Sequence, residues 1–294
     1  MDDDDDLITS RPDALAECAE DGMNLQYCTP PLLADRALVF ISVNQNGDSL
    51  QFATELHRAD KAVVLEAVKQ DGYALQWASE ELRADLDVVR EAVRQNGDAL
   101  KHASAEARKD KPTVLLAVAP PFGDGCALQW VLPEPGGGLR ADREIVLQAV
   151  RRHGEALQYA VAALQGDGEV VLEACRKGKP LYAALQFAGE AQKDDAGLVT
   201  EAVKVNSMAL QWASARLQGD HTVVMEAVRG DPSGKVLERG GDPALRGDGA
   251  FLEVRLPTRS SGSYVMRGVH LTMSPYYGLC FRTHVVRHCS TVAL

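Results

Sequence analysis

The sequence predicts an all-α fold: a solenoid-like array of about nine helical hairpin repeats, with a C-terminal tail that lacks the repeat. The text VVLEAVKQDGYALQWASEELRAD, which ends at Asp85, returns one repeat later as VVREAVRQNGDALKHASAEARKD. Self-similarity at a fixed period of this size is typical of solenoids. Aromatic residues make up only 5% of the chain, and the apolar content rests on alanine, leucine and valine, which favours helices over a β-sandwich.

The repeats follow a recurring aspartate. Most of the units are 25 residues long, whereas the unit from Lys111 has 32 residues and those from Gly168 and His221 have 28. One short hairpin cannot bury its apolar face alone, but stacked neighbours can, so we expect one continuous core. The nine units begin at Arg11, Arg36, Lys61, Leu86, Lys111, Arg143, Gly168, Ala196 and His221.

Each unit reads as a helix, a glycine turn, a second helix and a short connection. In the third unit, Asp60 is the expected N-cap of the first helix. Gly72 is expected to end that helix in a left-handed conformation. Helical spacing predicts two buried faces, formed by Val64, Leu65, Ala67 and Val68 in the first helix and by Leu75, Ala78 and Leu82 in the second.

Two positions recur along the chain as candidate core residues. The eighth position of the units is Cys18, Val43, Val68, Val93, Val118, Val150, Cys175, Val203 and Val228. The fifteenth position is Leu25, Leu50, Leu75, Leu100, Leu128, Leu157, Leu185 and Leu210. The turn position is Gly22, Gly47, Gly72, Gly97 and Gly154, with Ser207 in the eighth unit.

This repeat resembles the family called domain of unknown function 4116. Further good copies are IVLQAVRRHGEALQYAVAALQGD and LVTEAVKVNSMALQWASARLQGD. The resemblance covers Arg11 to Asp220, weakens towards Asp248 and leaves the C-terminus uncovered. It implies a tandem helical repeat found in multi-copy arrays, and it implies no catalytic residue.

Glutamine and an aromatic residue follow the recurring leucine. One interpretation is a stripe that binds an extended peptide, with the amides bonded to the peptide backbone. The other is that the aromatics wedge between adjacent units and the amides satisfy helix ends, which the strict periodicity favours. The candidate stripe consists of Gln76, Trp77, Gln129, Trp130, Gln211 and Trp212, and the fourth unit departs from it with Lys101 and His102.

Charge divides the chain into three predicted segments. Residues 1–10 form an acidic, disordered N-terminus, residues 11–248 form the array, and residues 249–294 form a basic, poorly ordered tail. The tail has five arginines and one acid, a net charge of +4, so the other residues contribute −15 to the total of −11. The acidic array argues against nucleic acid as a partner.

The cysteine count and the apolar runs predict a cytoplasmic or nuclear protein. Six cysteines are ordinary for an intracellular chain of 294 residues. No apolar run approaches the roughly 18 residues of a spanning helix, so we expect no membrane partner. Cys18 and Cys175 replace a core valine and Cys28 replaces a small core alanine, so these thiols are expected to be buried and inert. Cys126, beside an insertion, is expected to be exposed.

Two regions outside the regular repeat carry the alternatives. The fifth unit contains the insertions PPFGDG (residues 120–125) and PEPGGG (residues 133–138), and both are expected to be exposed loops. The tail contains CFRTHVVRHC, whose side chains supply zinc-ligating chemistry with a spacing that matches no common zinc motif. These four candidate ligands are Cys280, His284, His288 and Cys289.

We therefore expect a monomeric, non-enzymatic scaffold that binds protein or peptide along the array surface and needs no cofactor. One alternative is a hydrolase or transferase with its site in residues 119–138 or in the tail. Another is an adaptor that binds zinc through residues 280–289. Polar residues are spread evenly over the units rather than gathered in one place, which favours the scaffold.

Overall fold

The computed structural model describes residues 7–119, 126–177, 184–230, 256–260 and 263–267. The chain forms two compact parts, residues 1–178 and residues 179–294. In both parts helices pack in series, which confirms the all-α helical array.

Every predicted unit begins with a longer α-helix, and each predicted unit start is the first residue of that helix. The helices are α1 (Arg11–Glu20), α2 (Arg36–Gln45), α3 (Lys61–Gln70), α4 (Leu86–Gln95), α5 (Lys111–Val118), α6 (Arg143–Arg152), α7 (Gly168–Lys177), α8 (Ala196–Val205) and α9 (His221–Gly230). The predicted N-cap is confirmed in α3, where the Asp60 carboxylate accepts hydrogen bonds from the backbone N–H groups of Ala62 and Val63 at 2.9 and 3.4 Å.

The predicted second helix of the unit is wrong, because the chain forms two shorter pieces there. The first is a 3-10 helix: Gly22–Tyr27, Gly47–Phe52, Gly72–Trp77, Gly97–His102, Cys126–Trp130, Gly154–Tyr159, Ala184–Phe187 and Ser207–Trp212. The second is a short α-helix at Pro30–Leu33, Glu55–Arg58, Glu80–Ala84, Ala162–Gln165, Glu190–Lys193 and Ala215–Gln218, or a 3-10 turn at Ala107–Lys109 and Gly138–Ala141.

A hydrogen bond between neighbouring units explains the break between the two pieces. Ala78 and Ser79 are extended, with ψ angles of 157° and 160°. This conformation lets the Ser79 backbone N–H donate to the Arg58 carbonyl of the preceding unit at 2.9 Å. A continuous helix would use the same N–H internally, so contact between units decides the local structure.

The recurring glycine does not have the left-handed conformation that the sequence predicted. Among the described residues, positive φ angles occur at Gly136, Gly137 and Gly138, within the PEPGGG insertion. At Gly72 the reason for glycine is space, because a Cβ atom there would lie closer than 3.0 Å to the Ala92 carbonyl oxygen of the next long helix. The 3-10 helix therefore packs directly against the backbone of the following unit.

The core lies between the layer of long helices and the layer of 3-10 helices. The residues predicted at the eighth and fifteenth positions are all buried. The predicted face of α3 needs one correction, because Val63 is fully buried whereas Leu65 is half-buried. Leu75, Ala78 and Leu82 are buried as predicted.

The N-terminal ends of the long helices are connected by what we call the aspartate ladder. Each N-cap aspartate of the ladder accepts a hydrogen bond from a basic residue of the preceding long helix. The pairs are Arg11–Asp35, Arg36–Asp60, Lys61–Asp85, Arg90–Asp110, Lys111–Asp142 and Arg143–Asp167, at 2.5 to 3.1 Å. In the fourth unit Leu86 occupies the usual basic position, and Arg90, one turn later, replaces it.

The C-terminal ends of the long helices are bonded in the same register. The Gln45 side chain donates to the Glu20 carbonyl at 3.0 Å, and the Gln95 side chain donates to the Gln70 carbonyl at 3.2 Å. Because equivalent residues are bonded at both ends of the long helices, neighbouring long helices lie side by side without a shift in register.

The N-terminal end of the array is closed by residues that precede the first unit. The Ile8 carbonyl accepts a hydrogen bond from the Thr29 backbone N–H at 3.1 Å, and the Ile8 N–H donates to the Tyr27 carbonyl at 2.8 Å. Thr29 occupies the position that Ser79 has in the third unit, so Ile8 supplies the acceptor that Arg58 supplies there.

The basic tail contains a strand pair. Strands β1 (Leu256–Ser260) and β2 (Ser263–Arg267) are antiparallel, with Leu256 opposite Arg267 and Ser260 opposite Ser263. The insertion at residues 120–125 lies outside the described residues. The second insertion, at residues 133–138, leads from the 3-10 helix Cys126–Trp130 into the 3-10 turn Gly138–Ala141. Its Gly136 is exposed.

Candidate functional site

The long helices present an apolar row on their surface, which we call the outer row. It is formed by the fifth residue of the long helices in the first compact part of the chain. Its members are half-buried, although the rest of the exposed helix surface is largely polar, and Arg90 interrupts the row in α4. The row consists of Leu15, Phe40, Leu65, Leu115, Leu147 and Leu172.

The aromatic residues of the predicted stripe contact the preceding unit. The Trp77 indole N–H donates to the Asp48 carboxylate at 3.4 Å, and the Trp130 indole N–H donates to the Asp98 carboxylate at 3.1 Å. The ring of Trp212 is 38% exposed. The indole N–H groups of Trp77 and Trp130 therefore form hydrogen bonds between units.

The glutamines of the stripe contribute backbone acceptors. The Gln129 carbonyl accepts from the Arg140 guanidinium at 2.8 Å, and the Gln211 carbonyl accepts from the Gln218 side chain at 3.0 Å. Gln76 is exposed. Whether the stripe also binds a peptide stays a prediction.

Replacing Trp130 with phenylalanine should reduce the free energy of unfolding by about 1 kcal/mol, the usual net contribution of one hydrogen bond. The substitution keeps an aromatic ring but removes the N–H that donates to Asp98. Urea unfolding followed by circular dichroism measures the change. The control is Trp212→Phe, at an indole for which the structure shows no hydrogen bond, and its effect should be smaller. Equal losses in the two variants would contradict the assigned role of the Asp98 bond.

The cysteines occupy the predicted core positions. Cys18, Cys28 and Cys175 are buried, with exposed fractions of 0%, 3% and 5%. Burial, followed by the neighbouring Cys18 thiol, raises the pKa of the Cys28 thiol to about 12. Cys126, predicted to be exposed, is half-buried.

Native protein at about pH 8 should therefore leave Cys28 unmodified by iodoacetamide, because the thiolate is the reactive form and burial suppresses it. The measurement is mass spectrometry of alkylated peptides from native and from urea-unfolded protein. Cys28 should become modified only after unfolding. Modification at the same rate in both states would show that the thiol is accessible in the folded protein.

Two basic side chains of the fourth unit contact one tyrosine of the third unit. The Lys101 amine lies over the Tyr73 ring, 4.4 Å from its centroid. The His102 ring meets the same tyrosine edge-on, with 6.0 Å between the centroids. The only signal in the sequence was the replacement of the usual glutamine and aromatic residue by Lys101 and His102.

The charges of Lys101 and Arg83 both act on the His102 ring. Partial burial lowers the pKa of His102, and the positive charges of Lys101 and Arg83 lower it further. The side-chain Nε of Arg83 is buried and has no hydrogen-bond partner.

The proposed metal ligands Cys280, His284, His288 and Cys289 lie outside the described residues. In the described part of the chain, no three His, Cys, Asp or Glu side chains come close enough to hold a metal ion. Among the helices within the described ranges, none is both long and apolar enough to cross a membrane.

The family comparison agrees with the architecture. The model described as Domain of unknown function (DUF4116) matches residues 60–106 and 140–191. Two separate segments of the chain are therefore similar to this family. The predicted resemblance is thereby confirmed, and the two matched segments coincide with the units from Lys61 and Leu86 and with those from Arg143 and Gly168. The comparisons with curated proteins and with solved structures gave no match.

Proposed function

We propose that the array is a non-enzymatic scaffold that binds a protein or peptide along its long helices. The observation that carries this proposal is the outer row, in which leucine or phenylalanine remains half-buried at the same position of six of the seven long helices in the first compact part. Apolar side chains that are only partly covered favour association, because a partner can remove the rest of their surface from water.

The in-register packing of the long helices aligns the members of the outer row on both sides of the interruption at Arg90. The ladder pair Arg36–Asp60 joins α2 to α3 at one end. The bond from Gln45 to Glu20 joins α1 to α2 at the other end. Side chains at the same position of adjacent helices therefore lie next to one another rather than at staggered heights.

The dimensions of the outer row suit an extended or helical segment of a partner. Packed helices lie roughly 8–10 Å apart. The row from Leu15 to Leu172 therefore extends over about 50 Å, the length of roughly 15 residues of extended chain. An elongated surface of this kind is how repeat proteins bind their partners.

The recurring polar side chains support the same interpretation. The N-cap aspartates bond to their own helix and to the preceding unit, as Asp60 does with Val63 and Arg36. The indole of Trp130 bonds to Asp98. These groups hold the array together, which leaves the side chains that vary between units to select the partner.

Site-specific photo-crosslinking tests the proposal. A photoreactive phenylalanine analogue is placed at Leu65 and, in a second variant, at Leu147, and the full-length protein is irradiated in a lysate of its own cells. Both variants should form a crosslink to the same protein, identified by mass spectrometry. The control position is Leu56, which is 73% exposed and lies on the short helix Glu55–Arg58, outside the outer row.

Two results would overturn the scaffold proposal. One is the absence of any specific crosslink from Leu65 and Leu147. The other is equal crosslinking from Leu56 to the same proteins, which would indicate random collision with an exposed apolar side chain rather than binding at the outer row.

A further inference from the structure

We propose that the outer faces of α1 and α2 bind an amphipathic helix of a partner protein, one with an apolar face and with lysine or arginine along its flank. This inference rests on the scaffold proposal and adds the chemistry of the partner and the units that it contacts. The surface, which we call the uncharged face, consists of Pro12, Leu15, Ala16, Ala19, Ala37, Phe40, Ile41 and Asn44.

The uncharged face lacks an ion pair that the repeat places on the outer surface of other long helices. In α3, α4, α7, α8 and α9 the sixth and ninth residues are an acid and a base that pair with each other. The pairs are Glu66–Lys69, Glu91–Arg94, Glu173–Arg176, Glu201–Lys204 and Glu226–Arg229. At the same positions α1 has Ala16 and Ala19, and α2 has Ile41 and Asn44. The first two helices therefore lack the charged side chains that make this surface favourable in water.

The uncharged face is accessible in the described part of the chain. Phe40 and Ile41 are half-buried, and Ala16, Ala19 and Ala37 are exposed. The helices α1 and α2 have 10 residues each, so each is about 15 Å long. Because packed helices lie roughly 8–10 Å apart, the two outer faces together cover about 300 Å², an area at which an apolar patch on a monomer is often functional.

One edge of the uncharged face is lined by three carboxylates, Asp13, Glu17 and Glu20, which we call the acidic rim. Their spacing of i, i+4 and i+7 places them along one side of α1. Asp13 and Glu17 occupy the third and seventh positions of the unit, which in α3 are the fully buried Val63 and Ala67. In α1 both acids are exposed.

No basic side chain compensates the acidic rim in the described structure. None of its three carboxylates has a Lys, Arg or His nitrogen within 4.0 Å among the described residues. Arg11 is the only basic residue at positions 7–35, and its guanidinium bonds to Asp35. Residues 1–35 contain 10 acids and one base, a net charge of −9, whereas residues 36–294 contain 32 acids and 30 bases, a net charge of −2. The negative charge of the chain is therefore concentrated in the residues that precede and form the first unit.

This charge distinguishes between the possible occupants of the uncharged face. A second copy of the chain in a symmetric dimer would bring two strongly negative first units together, which is unfavourable. A basic amphipathic helix can instead cover Phe40 and Ile41 with its apolar side chains while its flank pairs with Glu17 and Glu20. A terminal repeat needs a polar end, but side chains of either sign would meet that need. The excess of one sign favours a ligand of the opposite sign.

The test uses a synthetic peptide of leucine and lysine, about 14 residues or four helical turns long, with its leucines spaced to form one apolar face. A second peptide has glutamate in place of lysine, and a third has the leucine and lysine residues in scrambled order. NMR spectra of the full-length protein are recorded during each titration at physiological ionic strength. The leucine–lysine peptide should produce saturable shifts in the amide signals of α1 and α2, whereas the other two peptides should not.

A variant that introduces the ion pair of the repeat separates binding from folding. The double substitution Ile41→Glu, Asn44→Lys gives α2 the residue types that α3 has at the same positions. It should weaken binding of the leucine–lysine peptide about tenfold, because the peptide no longer covers an apolar side chain there. Its thermal unfolding should stay close to that of the original protein. The matched control, Leu116→Glu with Ala119→Lys, places the same pair on α5, outside the uncharged face, and should leave the affinity unchanged.

Removal of charge from the acidic rim tests the flank of the bound helix. Glu17→Gln and Glu20→Gln should each weaken binding of the leucine–lysine peptide about threefold, the effect of one exposed ion pair. The control is Glu55→Gln, which changes the net charge equally but removes an exposed acid of the short helix Glu55–Arg58. It should not change the affinity.

Three results of the titrations would overturn the proposal. The first is the absence of saturable shifts in α1 and α2. The second is equal binding of the glutamate peptide or of the scrambled peptide, which would show that charge or apolar content alone is sufficient. The third is unchanged affinity in the folded Ile41→Glu, Asn44→Lys variant.

The spectra of the free protein identify the other possible occupants, and either of them would also overturn the proposal. Shifts in α1 and α2 that depend on protein concentration would assign the uncharged face to a second copy. Nuclear Overhauser contacts between α2 and residues 249–294 would assign it to the basic tail of the same chain. Crosslinks from Leu65 and Leu147 without peptide binding would contradict only this inference, whereas the absence of those crosslinks would contradict the scaffold proposal, so the two failures are distinguishable.

Discussion

Replacing Gly72 with alanine should lower the free energy of unfolding by about 3 kcal/mol, at the upper end of the cost of overpacking. The new methyl group would lie closer than 3.0 Å to the Ala92 carbonyl oxygen. That oxygen belongs to the backbone of α4, which cannot move without separating the two units. Urea unfolding followed by circular dichroism measures the loss.

A glycine without such a neighbour provides the control. Gly197 lies near the start of α8, is exposed, and the nearest atom to its Cβ position is a side-chain oxygen of Asp195 at 3.3 Å. Gly197→Ala should be neutral or stabilise the protein by a few tenths of a kcal/mol, because alanine reduces the entropy of the unfolded chain. If Gly72→Ala behaved in the same way, close packing would not be the reason for glycine.

Acid should unfold the array through the aspartate ladder. The hydrogen bond from Arg11 lowers the pKa of Asp35, and the bond from Arg36 lowers the pKa of Asp60. In the other ladder aspartates partial burial raises the pKa, but hydrogen bonds from the basic partner and the backbone outweigh it, so that the pKa is again below 3.8. These aspartates are Asp85, Asp110, Asp142 and Asp167.

The direction of the pH dependence follows from these lowered pKa values. A carboxylate with a lower pKa in the folded state stabilises the protein fully above its unfolded pKa of 3.8. That contribution is lost as the pH falls through the folded pKa. Melting temperatures measured by circular dichroism should therefore be nearly constant from about pH 7 to pH 5 and then fall steeply below about pH 4.

A neutral cap within the ladder tests the assignment. Asp60→Asn keeps an oxygen that accepts the backbone N–H groups of α3 but removes the charge that pairs with Arg36. The variant should lose less stability between neutral and acidic pH than the original protein does. Asp13→Asn, at an exposed site of α1 outside the ladder, should leave the pH dependence unchanged. An unaltered acid transition in Asp60→Asn would exclude the ladder as its main cause.

The sequence was sufficient for the starts of the long helices and for most of the buried positions. A recurring aspartate located the N-cap of the long helices after the first, because a short polar side chain satisfies the free N–H groups there, as Asp60 does for Ala62. Helical spacing located core residues such as Val68 and Leu75, both fully buried. The replacement of the usual glutamine and aromatic residue by Lys101 and His102 was visible in the sequence. The contacts of these two side chains with Tyr73 were not.

What the sequence could not determine are the features that depend on the neighbouring unit. The second helix of the third unit is broken at Ser79 because the Ser79 N–H donates to the Arg58 carbonyl. Glycine is needed at position 72 because the α4 backbone lies too close for a Cβ atom. The contacts of Lys101 and His102 with Tyr73 likewise join side chains from two successive units. Periodicity and capping follow from interactions within one unit, so the local sequence is enough to predict them. Distances between units are set by packing, and only the tertiary structure decides them.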